Sequence, residues 1–447
     1  MKSIRQTLFW LHLAAGLVAG IAIGIMCFTG AALAFEKQVV AWSERDARQV
    51  VPPSPTAIRL PLAELARRVA EFKPDARPAT IVVSRDPKQA VAYGLGRDSA
   101  VYANPYTGEA RSPASTKVHD LLHVLEDWHR VLAMGGDNRP IGKAINGACN
   151  IAFCFLALSG LWLWWPRNWS WNGVKAVAVL NWRLTGKARD FNWHNAIGLW
   201  SAPILIVLTL TAMPISYRWA GNAVYKLVGE DPPPAPGQPP AAPPPANAPT
   251  TSTAAMGAVE IKRPSPDARI LSHDALLSRV QQQYPRWESI TFRLANAQRG
   301  AAPGPQAPAQ RPAGENASAS LSALREGGDR PRGESRREGG GQAGEGRRAP
   351  QPVTIIVKET GAWPRTATTT LSLDPFTGDD LKVERFSELS PGRQIRGWMR
   401  FLHTGEALGP GGQLVAGIAC LGGCFLVYTG FALAWRRFLP KRGRPAA

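Results

Sequence analysis

Apolar residues along the chain follow two rhythms. In four places, residues 8–35, 141–165, 193–217 and 413–435, they are almost continuous over about the 20 positions needed to cross a bilayer core. Backbone amides in hydrocarbon have no water to bond, so each run is predicted to be a membrane-spanning helix. Between the runs the rhythm changes. A 3.6-residue period over residues 62–72 and 274–284 predicts amphipathic helices, and short apolar runs over 79–84, 90–93, 100–103, 289–294, 353–358 and 368–373 predict strands. Each set of strands ends in a Pro-aromatic-Thr-Gly tetrad, in which Pro presets one dihedral and Gly permits a positive one, so a turn is expected.

The organisation that follows alternates span and outer segment. Residues 1–36 form the first span, 37–117 a small α+β unit, and 118–166 an outer helix leading into the second span. A connecting loop, 167–192, precedes the third span, 193–220, and a Pro/Ala-rich linker, 221–258. A second α+β unit, 259–395, precedes the fourth span, 396–437, and a basic tail, 438–447. Within the second unit, residues 297–351 are rich in Gly, Pro, Arg and Glu and too poor in apolar residues to build a core.

The chain also repeats. At an offset of 270, Asn104-Pro105-Tyr106-Thr107-Gly108-Glu109 falls on Asp374-Pro375-Phe376-Thr377-Gly378-Asp379, and without a gap Trp128, Arg130, Gly160 and Trp165 fall on Trp398, Arg400, Gly430 and Trp435. At an offset of 182, His12 and Gly16-Leu17 fall on His194 and Gly198-Leu199, and Thr29 on Thr211. The expected fold class is a bundle of four transmembrane helices with two small α+β outer domains, made by internal duplication.

Charge fixes an expected orientation. The formal net charge is +19 across 447 residues. Much of it sits in the disordered-type insertion, in the 167–192 loop with Arg167, Lys175, Arg183, Lys187 and Arg189, and in the tail after Arg436. The positive-inside rule puts that loop, the tail and the N-terminus in the cytoplasm and the two α+β units outside it, in the periplasm of a bacterial inner membrane. Nucleic acid is then an unneeded explanation of the charge. Residues 1–36 also have the outline of a cleavable secretory signal, but the apolar stretch is long and contains His12, which favours a retained span. All five cysteines lie in apolar runs, which excludes a disulfide scaffold in the outer segments.

Seven histidines carry the chemical signal. His12 and His194 occupy matching positions near the inner ends of spans one and three; His129 and His403 lie just before spans two and four on the outer side. Two imidazoles from facing helices suit a low-spin haem iron, which needs one nitrogen on each face of its ring. Gly16 and Gly198, one turn beyond the inner pair, are expected to leave room for the flat macrocycle. Helix-contact histidines that only hydrogen-bond are the alternative, but ionisable groups placed in pairs within spans favour ligands. In the gapless alignment His129 matches Met399 and His403 matches Ala133, so the outer ligands sit one turn out of register. His119 and His123 read as surface or capping residues, and His273 as a helix-terminal residue that binds nothing. No nucleotide-binding glycine loop and no zinc-protease motif is present.

Together, Leu11-His12 with Gly16, Trp128-His129-Arg130, Gly160-Leu161-Trp162-Leu163-Trp164-Trp165-Pro166-Arg167, His194 with Gly198-Leu199-Trp200, and His403-Thr404-Gly405-Glu406 resemble the PepSY-associated transmembrane-helix family, whose members include di-haem ferric-siderophore reductases. Ala212, where a Thr-Gly is usual in span three, and the long insertion depart from that pattern. The resemblance implies two b-type haems, PepSY-like outer domains and an oxidoreductase passing electrons to a ferric siderophore in iron uptake. The donor is then a separate cytoplasmic reductase or a membrane quinol, since no flavin or nicotinamide domain is fused to the chain. Arg130 and Arg400 are candidates for steering an anionic chelate. Two other readings stand beside this one: a quinol-linked b-type cytochrome with another acceptor, and a haem-free interaction or protease-inhibitor protein.

Overall fold

The computed structural model describes residues 2–96, 99–165, 170–234, 261, 263–265, 268–294 and 350–439. Arg167, the linker beyond residue 234, almost all of the 297–351 insertion and the tail beyond residue 439 lie outside the described residues.

Among the described residues four helices are long and apolar enough to cross a membrane: α1 (Lys2–Leu33), α6 (Arg139–Trp164), α8 (Gly186–Ser216) and α12 (Pro410–Phe438). They form a ring in which α1 and α8 each pack on both α6 and α12, so α1 and α8 stand diagonally opposite. Close approach is made by small residues: a Cβ on Gly20 would meet the Phe431 ring at 2.8 Å, and one on Gly423 would meet Cys27 Sγ at 2.5 Å. The outward faces carry large apolar residues, such as Val18, Ile21, Phe28 and Ile418, which only a lipid bilayer covers favourably. The chain is a membrane protein.

The polar segments hold helices that apolar periodicity does not mark: α2 (Glu36–Ser43), α3 (Arg45–Arg48), α7 (Trp171–Ala178) and α9 (Arg218–Leu227). Helix α9 occupies the start of what the sequence presents as linker; its exposed polar face hides the pattern, and its buried face carries only Ala220, Gly221, Val224 and Tyr225. Helix α8 likewise begins well before residue 193. Its first turns are polar, and Asp190, 1% exposed, is held by Arg189 and Arg436, each at 3.0 Å.

The two expected outer units are not separate. Strands β1 (Thr80–Ser84), β2 (Val91–Gly94), β3 (Ala100–Ala103) and β4 (Ala110–Arg111) join β5 (Trp287–Arg293), β6 (Val353–Glu359), β7 (Thr369–Leu373) and β8 (Asp380–Arg385) in one antiparallel sheet. Its order is β4-β3-β2-β1-β5-β6-β7-β8. At the seam Ile81 pairs with Phe292 and Val83 with Ile290. Each half alone would leave β1 or β5 as an open edge, and pairing the two removes both edges at once. Helices α4 (Leu62–Phe72) and α10 (His273–Gln283) lie together on the sheet, and the Asp274 carboxylate accepts from the Leu62 amide at 2.6 Å, capping α4 from the other half. One core results, with Leu65, Val69, Ile81 and Tyr93 packed among Leu276, Val280, Ile290, Phe292 and Leu371. His273, at the start of α10, sets its ring edge-on to Phe292 at 5.4 Å.

The two tetrads fold alike. Asn104 Oδ1 and Asp374 Oδ1 accept from the amides two residues on, at 2.9 and 2.7 Å, and Gly108 and Gly378 take φ of +75° and +71°. The left-handed conformation explains why Gly ends both.

The sheet is tied to the helices through Glu44, which is 3% exposed between α2 and α3. Its carboxylate accepts from Arg48 at 2.8 Å, from the Tyr102 hydroxyl of β3 at 2.8 Å, and from His119 Nε2 at 2.9 Å. His119 belongs to α5 (Lys117–Val131), so its role differs from the surface or capping one expected. Burial alone would raise the Glu44 pKa, but hydrogen bonds from His119, Tyr102 and Arg48 outweigh it and hold the carboxyl below its ordinary value. A folded pKa below the unfolded one, about 4.3, stabilises the fold above that pH and loses the contribution as pH falls through the lower value. Glu44→Gln is therefore expected to lower the melting temperature at neutral pH, with the gap to wild type closing below about pH 4. A gap that stays constant from pH 7 to pH 3 in thermal scans would count against this coupling.

Candidate functional site: two histidine pairs

The four spans and α5 place the histidines, together with α11 (Pro391–His403). His12 lies on α1 and His194 on α8, the diagonal helices, near the end of the bundle where α1 and α8 begin and α6 and α12 end. At the sheet end, the rings of His129 on α5 and His403 on α11 have centroids 6.3 Å apart with planes inclined by 46°.

Each ring is held by one nitrogen. His12 Nδ1 is 2.8 Å from Ser159 Oγ, His194 Nδ1 is 2.9 Å from Thr429 Oγ1, and His129 Nδ1 is 3.0 Å from Thr29 Oγ1. His403 Nδ1 is 3.0 Å from the Leu208 carbonyl. The hydroxyls settle the tautomer. Thr29 and Thr429 each donate their own proton to the carbonyl four residues back, both at 2.7 Å, and Ser159 bonds the Leu156 carbonyl at 3.3 Å. A threonine hydroxyl whose proton is spent on the helix carbonyl accepts from the ring, so at His129 and His194 Nδ1 carries the hydrogen and Nε2 keeps its lone pair. A carbonyl can only accept, which gives His403 the same tautomer. Each of the four rings is thus oriented by a partner on Nδ1 and has no hydrogen bond to Nε2 among the described residues, the arrangement of metal-ligating histidines.

The donor set tests which metal could be held. Among the described residues no three His, Cys, Asp or Glu side chains gather to hold an ion, so a bare metal needing three or four protein ligands finds no cage. Two nitrogens suffice when the metal comes already held in the plane of a macrocycle. A metal bound at about 2.0 Å by each Nε2, with each ring centre about 1.1 Å behind its nitrogen, requires centroids about 6.2 Å apart. The outer pair meets that spacing, so its residues fit a haem iron.

Space beside the rings comes from glycines other than those expected. A Cβ on Gly160 would lie 3.5 Å from His12 Cε1, one on Gly430 3.6 Å from His194 Cε1, and one on Gly30 3.1 Å from His129 Cε1. A Cβ on Gly16 would lie 3.9 Å from Leu156 and one on Gly198 3.5 Å from Leu426, and neither position meets a histidine ring within 4 Å. The inner contacts recur at the offsets seen in the sequence: His12 with Ser159 and Gly160 corresponds to His194 with Thr429 and Gly430. The hydroxyl residues were missed by sequence reasoning, although a Ser or Thr directly before each of the matched glycines was a usable signal.

The outer pair departs from that correspondence at a definite point. Helix α5 ends at Val131, and Leu132 and Ala133 take φ of +52° and +56°, whereas α11 continues through the matching positions to His403. Left-handed backbone in non-glycine residues costs roughly 1–2 kcal/mol each. The early break turns the chain towards α6 while His129 remains helical, which is how ligands one turn apart in sequence meet as neighbours. Asn146 of α6 fixes the corner by donating to the His129 carbonyl at 3.0 Å.

Arg130 and Arg400, matched in sequence, differ in surroundings. Arg130 pairs with Glu126 at 2.6 Å, while Arg400 is exposed and has no ion pair among the described residues. His123, at the α5 surface, lies 3.9 Å from Glu126. Trp398, on the helix that ends at His403, packs edge-on against Trp363 of the β6–β7 connection at 5.5 Å. No curated protein matches the chain. The described geometry lies within residues 9–437, which match the profile of the PepSY-associated TM region, and with nearly the whole sequence inside that match the chain belongs to this family.

Proposed function

We propose that the protein is a di-haem b electron conduit of a bacterial inner membrane, taking electrons on the cytoplasmic side and delivering them to a ferric chelate in the periplasm. One observation carries the reading: four histidines in two pairs, each with Nδ1 held by a partner and Nε2 without a hydrogen bond among the described residues. His12 and His194 would hold the inner haem, and His129 and His403 the outer one. A haem iron between two imidazoles changes oxidation state by one electron while keeping both ligands. Two sites suit a hydrocarbon core of roughly 30 Å, which is too thick for one efficient step.

The chain's own part is to hold and to shield. Ser159, Thr429, Thr29 and the Leu208 carbonyl keep the four rings in one orientation. The apolar helix faces exclude water from both pairs. Arg400, exposed three residues before His403 and without an ion pair among the described residues, suits an anionic chelate. Reduction weakens the bonds of ferric iron to hard oxygen ligands and frees the metal, which gives the reaction its use in iron acquisition. The basic connections between spans support the cytoplasmic placement of the termini, and the repeated contacts support duplication as the origin of the two halves.

The decisive test is an absorption spectrum of the purified protein with and without dithionite. A reduced b-type α band that ferric siderophores discharge is the expected result; its absence would sink the reading. Thr29→Val keeps the shape of the side chain but removes the acceptor of His129. It is expected to loosen retention of the outer haem by about 10–100-fold, the usual cost of losing such a partner, as read by haem content after detergent washing. Unchanged retention would mean that Thr29 does not orient the ligand.

A further inference from the structure

The inner site has polar groups that neither histidine uses. Trp164 ends α6, and its indole Nε1–H is buried without a hydrogen-bond partner. It stands four residues after Gly160, the glycine that faces His12, and so on the same face of α6 one turn nearer the terminal end of the bundle. At the matching position of α12 is Ala434, 4% exposed and too small to fill the equivalent space. Trp193 also has a buried unpartnered indole N–H, but its ring is taken up by Trp182 at 5.0 Å and Arg189 at 5.4 Å.

Cations precede three of the four ligands by the same distance; seven residues before His129 stands Leu122 instead. Arg5 precedes His12 by seven residues, Lys187 precedes His194 by seven, and Arg396 precedes His403 by seven, each within a single helix. Seven residues are two turns, so each cation lies on the face of its histidine, roughly 10 Å along the axis. In α1 and α8 that displacement leads to the terminal end of the bundle; in α11 it leads away from the spans on the sheet side. Arg5 bonds the carbonyl of Leu163, the residue before Trp164 in α6, so both reach the same end of that helix. The Arg396 guanidinium lies against Gly221 of α9.

We propose that Trp164 and Arg5, with Lys187, receive the carboxylate-bearing edge of the inner tetrapyrrole, and that Arg396 receives that of the outer one. The inference rests on the di-haem reading and adds to it the way each ring faces: charged edges towards the two membrane surfaces, apolar edges towards each other. An orphaned buried N–H is destabilising, and a carboxylate is an acceptor that removes the penalty. The carboxylates in turn would be expensive to keep in an apolar bundle without donors and cations. A cation beside a haem disfavours its oxidised, more positive form, so these residues also raise the potential of the site they serve.

The test is a spectroelectrochemical titration and a resonance Raman spectrum of the full-length protein in detergent. Arg5→Gln is expected to shift one of the two midpoint potentials downward and Arg396→Gln the other, with Arg5→Lys restoring most of the first shift. Trp164→Phe keeps the aromatic volume and removes the N–H alone; it is expected to move the propionate bending band and the same potential as Arg5→Gln. Arg183→Gln, an exposed cation of the same basic connection, is expected to move neither. Wild-type potentials and bands in Trp164→Phe and Arg5→Gln, with a normal b-type spectrum, would overturn this proposal alone. A wild-type protein without any b-type band overturns the conduit reading and this proposal with it.

Discussion

His194→Ala is expected to remove about half of the reduced b-type absorption and leave the rest with the spectrum of a bis-histidine haem. The substitution takes away one Nε2 of the inner pair and the donor to Thr429, whose hydroxyl still bonds the Phe425 carbonyl, so α12 keeps its backbone pairing. The outer pair draws on α5 and α11 and on partners at Thr29 and Leu208, none of which touches His194. Retention of the second haem is therefore expected, and His403→Ala is expected to give the complementary loss. Electron delivery across the membrane should fall much further than half in either variant, because the remaining site leaves most of a roughly 30 Å core to be crossed in one step. Haem content by difference spectroscopy and reoxidation by a ferric chelate measure the two effects separately. Full-intensity bands in both single variants would mean that the four histidines are not the ligands.

Phe292→Ala is expected to cost about 3–5 kcal/mol, the usual penalty for emptying a fully buried aromatic site. Phe292 is 0% exposed, pairs with Ile81 across the β1–β5 seam and supports the His273 ring. Because the core is shared, the loss is expected to reach both halves. Hydrogen exchange should accelerate in β1–β3 as well as in β5–β8, although the substitution lies in one half only. Acceleration confined to β5–β8 would show that the halves unfold independently despite the common sheet.

These two cases show unequal legibility. The spans were readable because hydrocarbon imposes a single-residue criterion, apolar or not, over a length set by the bilayer. His12 and His194 were legible as a pair because the repeat aligns them within apolar runs, whereas His129 and His403 stand one turn out of register and before the spans. The turn tetrads were readable because Gly108 and Gly378 need a positive φ. By contrast, α9 and the first turns of α8 are polar on their open faces, and their helical state depends on what covers the other side. Strand β4 is two residues long and β8 has no fully buried position, so neither leaves an alternating pattern to read. Gly16 and Gly198 stand one turn from their histidines in sequence, whereas Gly160 and Gly430 reach the rings from other helices, so no spacing along the chain points to them.

By itself the sequence determined the four spans, because each follows from composition within one segment, and it supplied their expected polarity, an expected two-fold plan and four ligand candidates. Tertiary structure alone decided that the outer halves share one sheet and core, since an open strand edge has no sequence signature apart from its partner. It alone decided the tautomers as well. Which ring nitrogen keeps its lone pair depends on hydroxyls and a carbonyl from other helices, at distances no spacing along the chain reveals. The register shift of the outer pair has the same origin: Leu132 and Ala133 look like ordinary helix formers, and only the packing of α5 against α6 forces them left-handed.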